Sequence, residues 1–80
     1  MIHYKQESKI VNGRIKIKPE YRRERIIFYC SNSGFVTVKE IADYFEISTM
    51  TVLRDLRILH KQGKLVRVHG GALKKGFNND

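Results

Sequence analysis

A chain of 80 residues, 41% hydrophobic and 30% charged, supports one globular core and excludes a second. Its formal charge of +8 calls for a polyanionic partner, nucleic acid ahead of an anionic membrane. No run approaches the ~18 apolar residues of a membrane span, Met1 to Glu7 lacks the apolar core of a secretion signal, and a single cysteine excludes an internal disulfide, so the chain reads as soluble and cytoplasmic.

Residues 1–18 read as a basic N-terminal extension. Within 9–18, K-I-V-N-G-R-I-K-I-K, the pair Asn12-Gly13 between β-branched runs signals a two-residue hairpin turn, because both turn positions need positive φ. An isolated two-stranded ribbon is marginal in water. A hairpin packed on the domain or on a second copy, and a mobile basic arm, therefore both stand as readings. Pro19 suits the first turn of a helix, and Arg22, Ile26, Ile27 and Cys30 follow with helical spacing up to a stop at Gly34.

Thr37-Val38-Lys39-Glu40 matches a capping box, which starts a second helix near Val38. That helix buries Ile41, Ala42 and Phe45 and lasts about two turns, since Ser48, after Glu46-Ile47, is a fresh cap. The third helix runs from Thr49 to Lys61 and closes at Gly63. Val52, Leu56 and Leu59 fall on one side of it, and Met50, Arg54, Arg57 and Lys61 lie roughly opposite. Asp55, close to several bases, would alone read as part of a solvated face. Lys64 to Val68 is a short strand, His69-Gly70-Gly71 a turn and Ala72 to Lys75 a returning strand. The aromatic residues Phe28, Tyr29, Tyr44 and Phe45 sit inside helical patterns, which suits core packing better than base stacking.

The fold class is thus mainly α (α+β): a three-helix winged helix-turn-helix over 19–75 with a C-terminal β-hairpin wing, a tail at 76–80 and the additional N-terminal hairpin. Charge placement agrees with it. Arg54 to Lys75 holds seven bases against Asp55, a net of +6, whereas Val36 to Leu53 nets −2, so one face is meant for phosphate. In such folds the third helix enters the major groove leading end first. Thr49, Met50, Thr51, Leu53 and Arg54 are then the base-reading candidates, with Arg54 the best placed for a bidentate guanine contact. Thr37, Ser48, Arg57, Lys61, Lys64, Arg67, His69, Lys74 and Lys75 are the phosphate or wing candidates. His3 and His60 lack metal-type partners, Cys30 reads as a small buried apolar residue, and no histidine stands near a nucleophile. No metal, cofactor or enzymatic activity is expected.

Three stretches in order carry a family resemblance: Gly34 to Phe45 as G-x-V-T-V-x-E-I-A-x-x-F, Ile47 to Leu56 as I-S-x-x-T-V-x-R-D-L, and Leu65 to Ala72 as L-x-R-x-H-G-G-A. From Glu24 to Leu73 the chain resembles the N-terminal DNA-binding domain of the DeoR family of bacterial transcription regulators. The resemblance implies a winged helix-turn-helix, a repressor or activator role, and base contacts from the helix holding Thr49 to Arg57. Leu53 departs from the two adjacent arginines usual before the aspartate, so the preferred site should differ. The family's C-terminal domain for phosphorylated sugars does not follow within the 80 residues, so no effector is expected. The Met1 to Lys18 extension favours a free-standing small regulator over a fragment. The expected partner is double-stranded DNA, with a homodimer as an additional expectation. Two other readings stay open: an interaction module using Met50, Leu53 and the hairpin, and non-specific binding through charge alone.

Overall fold

The computed structural model describes residues 8–11 and 14–76. In chain order the elements are β1 (Ser8–Val11), β2 (Arg14–Ile17), α1 (Pro19–Ser33), β3 (Phe35–Thr37), α2 (Val38–Phe45), α3 (Thr49–Lys61), β4 (Leu65–Val68) and β5 (Gly71–Lys74). The helices are joined by a three-stranded antiparallel sheet in the order β3-β5-β4, which makes a winged helix-turn-helix, and among the described residues β1 and β2 form a separate two-stranded sheet. That pairing runs from Ser8↔Ile17 to Val11↔Arg14. The Asn12-Gly13 turn expected between the two strands lies outside the described residues, as do Met1 to Glu7 and residues 77–80.

Local chemistry sets the boundaries. Pro19 opens α1, where its missing N–H costs nothing. Gly34 closes the helix at φ 86 and donates its N–H to the Cys30 carbonyl at 2.7 Å. Thr37 ends β3 and caps α2: its Oγ1 accepts the Glu40 N–H at 3.0 Å, and the Glu40 carboxylate accepts the Thr37 N–H at 2.9 Å. The chain leaves α2 through Glu46 at φ 56, with the Ile47 N–H donated back to Ala42. Ser48 then accepts the Thr51 N–H at 3.1 Å and starts α3. Three residues thus separate the two helices, as the spacing predicts.

Strand β3 was not legible from the sequence. It is three residues long, and its partner β5 lies at the far end of the chain, with Phe35↔Leu73, Val36↔Ala72 and Thr37↔Gly71 in register. The wing turn is also shorter than expected. Gly71 belongs to β5, paired with Val68 on one side and Thr37 on the other. A Cβ at Gly71 would lie 2.1 Å from the Val36 carbonyl oxygen, so only glycine permits that approach.

Ile26 and Cys30 of α1, Val36 of β3, Ile41 and Ala42 of α2, Val52, Leu56 and Leu59 of α3, Leu65 of β4 and Ala72 of β5 form the core, with Ile27, Val38, Phe45 and Ile47 packed around it. Each large aliphatic side chain buried there is worth about 1.5 to 3 kcal/mol. The aromatic expectation is corrected. Phe28, Tyr29 and Tyr44 are 55%, 44% and 71% exposed, because Ile26 and Cys30, and Ile41 and Ala42, already occupy the inward stripes of their helices. Only Phe45 packs against the core. With Arg25, Glu40 and Asp43 these aromatics line a groove of about 520 Å3 between α1 and α2. Tyr44 meets Phe45 edge-on at 4.9 Å, and the Arg25 guanidinium lies 4.9 Å from the Phe28 ring centre.

Candidate nucleic-acid interface

Helix α3 is sorted by side. Val52, Leu56 and Leu59 are buried, while Thr49, Met50, Leu53, Arg54, Arg57 and Lys61 are exposed and Thr51 is half-buried. The leading half therefore gathers all five base-reading candidates, with Arg57 and Lys61 farther along. Ser48 sits at the tip, its hydroxyl 3.0 Å from that of Thr51. Thr37 stands apart from this row, at the junction of β3 and α2, with its oxygen engaged in the cap.

The wing brings the second set together. Lys64, Arg67, His69 and Lys75 are exposed and Lys74 is half-buried. Three backbone N–H donors help to lock this hairpin to the rest of the domain. The Arg67 N–H donates to His60 Nδ1 at 3.1 Å, tying β4 to the last turn of α3. The Val38 N–H donates to the Gly70 carbonyl at 2.9 Å, tying the wing turn to the start of α2. At the other end of β5 the Lys74 N–H donates to the Gly34 carbonyl at 3.0 Å. Two basic surfaces on separate elements thus hold a fixed relation, which suits a ligand with regularly spaced charge.

Sequence reasoning missed one polar cluster. Asp55 is 1% exposed, and it accepts from Arg22 Nε at 2.5 Å, from Arg22 Nη2 at 3.0 Å and from Arg23 Nη1 at 3.1 Å. It is not part of the solvated face. The signal was present: at 100° per residue Asp55 falls about 40° from Leu59 and about 60° from Val52, inside the apolar stripe. Arg22 shared the inward spacing of Ile26 and Cys30. A charge on each of two facing stripes is the pattern of a buried pair.

Cys30 is buried, and burial pushes its thiol above the ordinary range. Its Sγ lies 3.6 Å from the Ala72 carbonyl, which places it as a packing residue between α1 and β5. Among the described residues no group of three or more His, Cys, Asp or Glu is arranged to hold a metal ion, and no helix is long and apolar enough to cross a membrane.

At the level of sequence, the chain is similar to several named regulators. The chain is 47% identical over 51 residues to the lactose phosphotransferase system repressor of Lactococcus lactis subsp. lactis, and 37% identical over 51 residues to the HTH-type transcriptional repressor CsqR of Escherichia coli. Each alignment takes in 64% of this chain and 20% of the relative. It is also 42% identical over 53 residues to the L-fucose operon activator of Haemophilus influenzae, covering 66% of this chain and 21% of that protein. The chain thus spans about a fifth of the length of these relatives. No solved structure matches it significantly. The family model for the DeoR-like helix-turn-helix domain matches residues 22–75, which runs from the Arg22 that grips α3 to the end of the wing. By that match the chain belongs to the DeoR-like helix-turn-helix family.

Proposed function

We propose that this chain is a sequence-specific duplex-DNA-binding module of a transcription regulator and acts without catalysis. Residues 19–75 form the module and 1–18 an accessory basic arm. The observation that carries the reading is the two-sided α3: three fully buried aliphatic residues hold it down while Arg54, Arg57 and Lys61 stand outward beside a basic wing. An α-helix fits the major groove of B-form DNA. Thr49, Met50, Thr51, Leu53 and Arg54 meet base edges, with Arg54 bidentate to guanine and the apolar groups against thymine methyls. Arg57, Lys61 and the wing residues Lys64, Arg67, His69, Lys74 and Lys75 meet phosphate and set the register, with Ser48 and Thr37 at its margin. The relatives are named as repressors and as an activator, and an inverted-repeat site would require two copies.

Selection from random duplexes, followed by affinity measurement on the recovered sequence, tests this. Arg54→Ala should cost about 1 to 3 kcal/mol on the selected duplex and relax one base preference, whereas Lys74→Ala should weaken all duplexes alike. With about five to seven phosphates neutralised, log affinity should fall with log salt at a slope of about −4.5 to −6. A pool with no enriched sequence removes the proposal. The exposed aromatic groove favours a second reading, a protein contact made on the α1–α2 side.

A further inference from the structure

We infer that the Arg22–Asp55–Arg23 cluster fixes the rotational setting of α3, so that these three residues govern base reading without touching DNA. The inference rests on the DNA-binding reading above and adds to it a group of positioning residues. Val52, Leu56 and Leu59 supply the burial that keeps α3 on the domain. Apolar contact is non-directional, however, and holds a helix without prescribing its rotation closely. The arginine–aspartate fork is directional. Nε and Nη2 of Arg22 reach the two separate oxygens of Asp55, at 2.5 and 3.0 Å, and Arg23 binds one of those oxygens from a third direction. Such a planar, bidentate pair resists both rotation and axial slip.

The lever is short and the tolerance narrow. A group about 6 Å from the helix axis moves by about 2 Å when the helix turns by about 20°. Base-edge hydrogen bonds accept a range of only about half an ångström. A small turn of α3 would therefore carry Arg54 and Leu53 off their base edges, while long, flexible Arg57 and Lys61 could still find phosphate. Net stabilisation is a poor account of the cluster. Buried ion pairs are often replaceable by apolar residues of similar volume with no loss of stability, and Ile26 of α1 already shares one apolar core with Val52, Leu56 and Leu59 of α3.

The charge count is consistent with this. Two guanidinium groups share one carboxylate, and the Arg23 side chain keeps 23% exposure, so the excess positive charge faces water while Arg22 is enclosed. Arg22 and Asp55 form the lock, and Arg23 steadies the Asp55 carboxylate from the edge.

The test replaces the lock by a well-packed apolar pair, Arg22→Met with Asp55→Leu, so that folding and positioning separate. Tm, affinity for the selected duplex, affinity for a scrambled duplex and the salt slope are measured for this variant and the wild type. The orientation of α3 against α1 is read from residual dipolar couplings. Expected are a Tm at or above that of the wild type, a loss of at least tenfold on the selected duplex, scrambled-duplex affinity and salt slope within twofold of the wild type, and a measurable turn of α3. A selected-to-scrambled ratio within twofold of the wild type overturns the inference. So does a parallel fall on both duplexes together with a lowered Tm, which would make the cluster a plain stabiliser. If the wild type itself prefers no duplex, the DNA-reading proposal fails, and the dipolar couplings still decide whether the lock sets the helix: an unmoved α3 sinks it.

Discussion

Replacing Gly71 by alanine should be the most damaging methyl addition in the wing, and its neighbour Gly70 provides the control. A Cβ built at Gly71 lies 2.1 Å from the Val36 carbonyl oxygen and 3.1 Å from the Thr37 Cα, both backbone atoms that cannot swing aside. Relief requires β3 and β5 to separate by about 1 Å, beyond what a ladder hydrogen bond tolerates. Losing roughly two such bonds at about 1 kcal/mol each, and exposing part of Val36, whose burial is worth about 2 kcal/mol, gives about 3 kcal/mol. Gly70 differs. It sits at φ 79 with nothing within 4 Å of an added Cβ, so alanine there meets only the left-handed backbone penalty of about 1 to 2 kcal/mol. Urea unfolding followed by circular dichroism measures both. Gly71→Ala should be the less stable by at least 1 kcal/mol, with an unchanged m-value. Equal midpoints for the two variants would refute the close-approach argument.

Ser48→Ala should cost about 1 kcal/mol in the same assay, because the Thr51 N–H at the tip of α3 loses its acceptor; no shift in midpoint would mean that water replaces the hydroxyl fully. Burial raises the Cys30 thiol, so its stabilising contribution is complete below the unfolded thiol's range and is lost as pH rises through that range toward the folded value. As pH rises through the unfolded thiol's range, about 8.5, the wild type should therefore lose stability faster than Cys30→Ala, by at most about 1.4 kcal/mol per pH unit, and parallel curves would contradict the burial argument.

Where a local signal was complete, the sequence reading and the structure coincide. The Thr37 and Ser48 caps, the stop at Gly34 and the apolar stripe of α3 each depend on residues within one or two helical turns of each other, and each lies where the spacing predicts. The differences arise where the deciding partner is distant. Phe35, Val36 and Thr37 form a strand only because β5 is there to pair with them, and Gly71 is drawn from the turn into that sheet by the same contact. Phe28, Tyr29 and Tyr44 have the composition of a core, yet smaller residues at the inward positions had already filled it. Asp55 carried the clearest unread signal, since its angle on the wheel placed it inward and its partner Arg22 lay on the matching stripe of α1. The outward set on α3 was legible because Arg54, Arg57 and Lys61 recur on the side opposite the leucines, a purely local pattern.

The most direct measurement is a nitrogen-15 NMR titration of the chain with its selected duplex. Amide shifts should concentrate on Thr49, Met50, Leu53, Arg54 and Arg57, with a second group along Arg67 to Lys75, while Phe28, Tyr29 and Tyr44 stay still. Shifts confined to the α1–α2 groove, with α3 unchanged at saturation, would contradict the claim that this helix is what the protein reads DNA with.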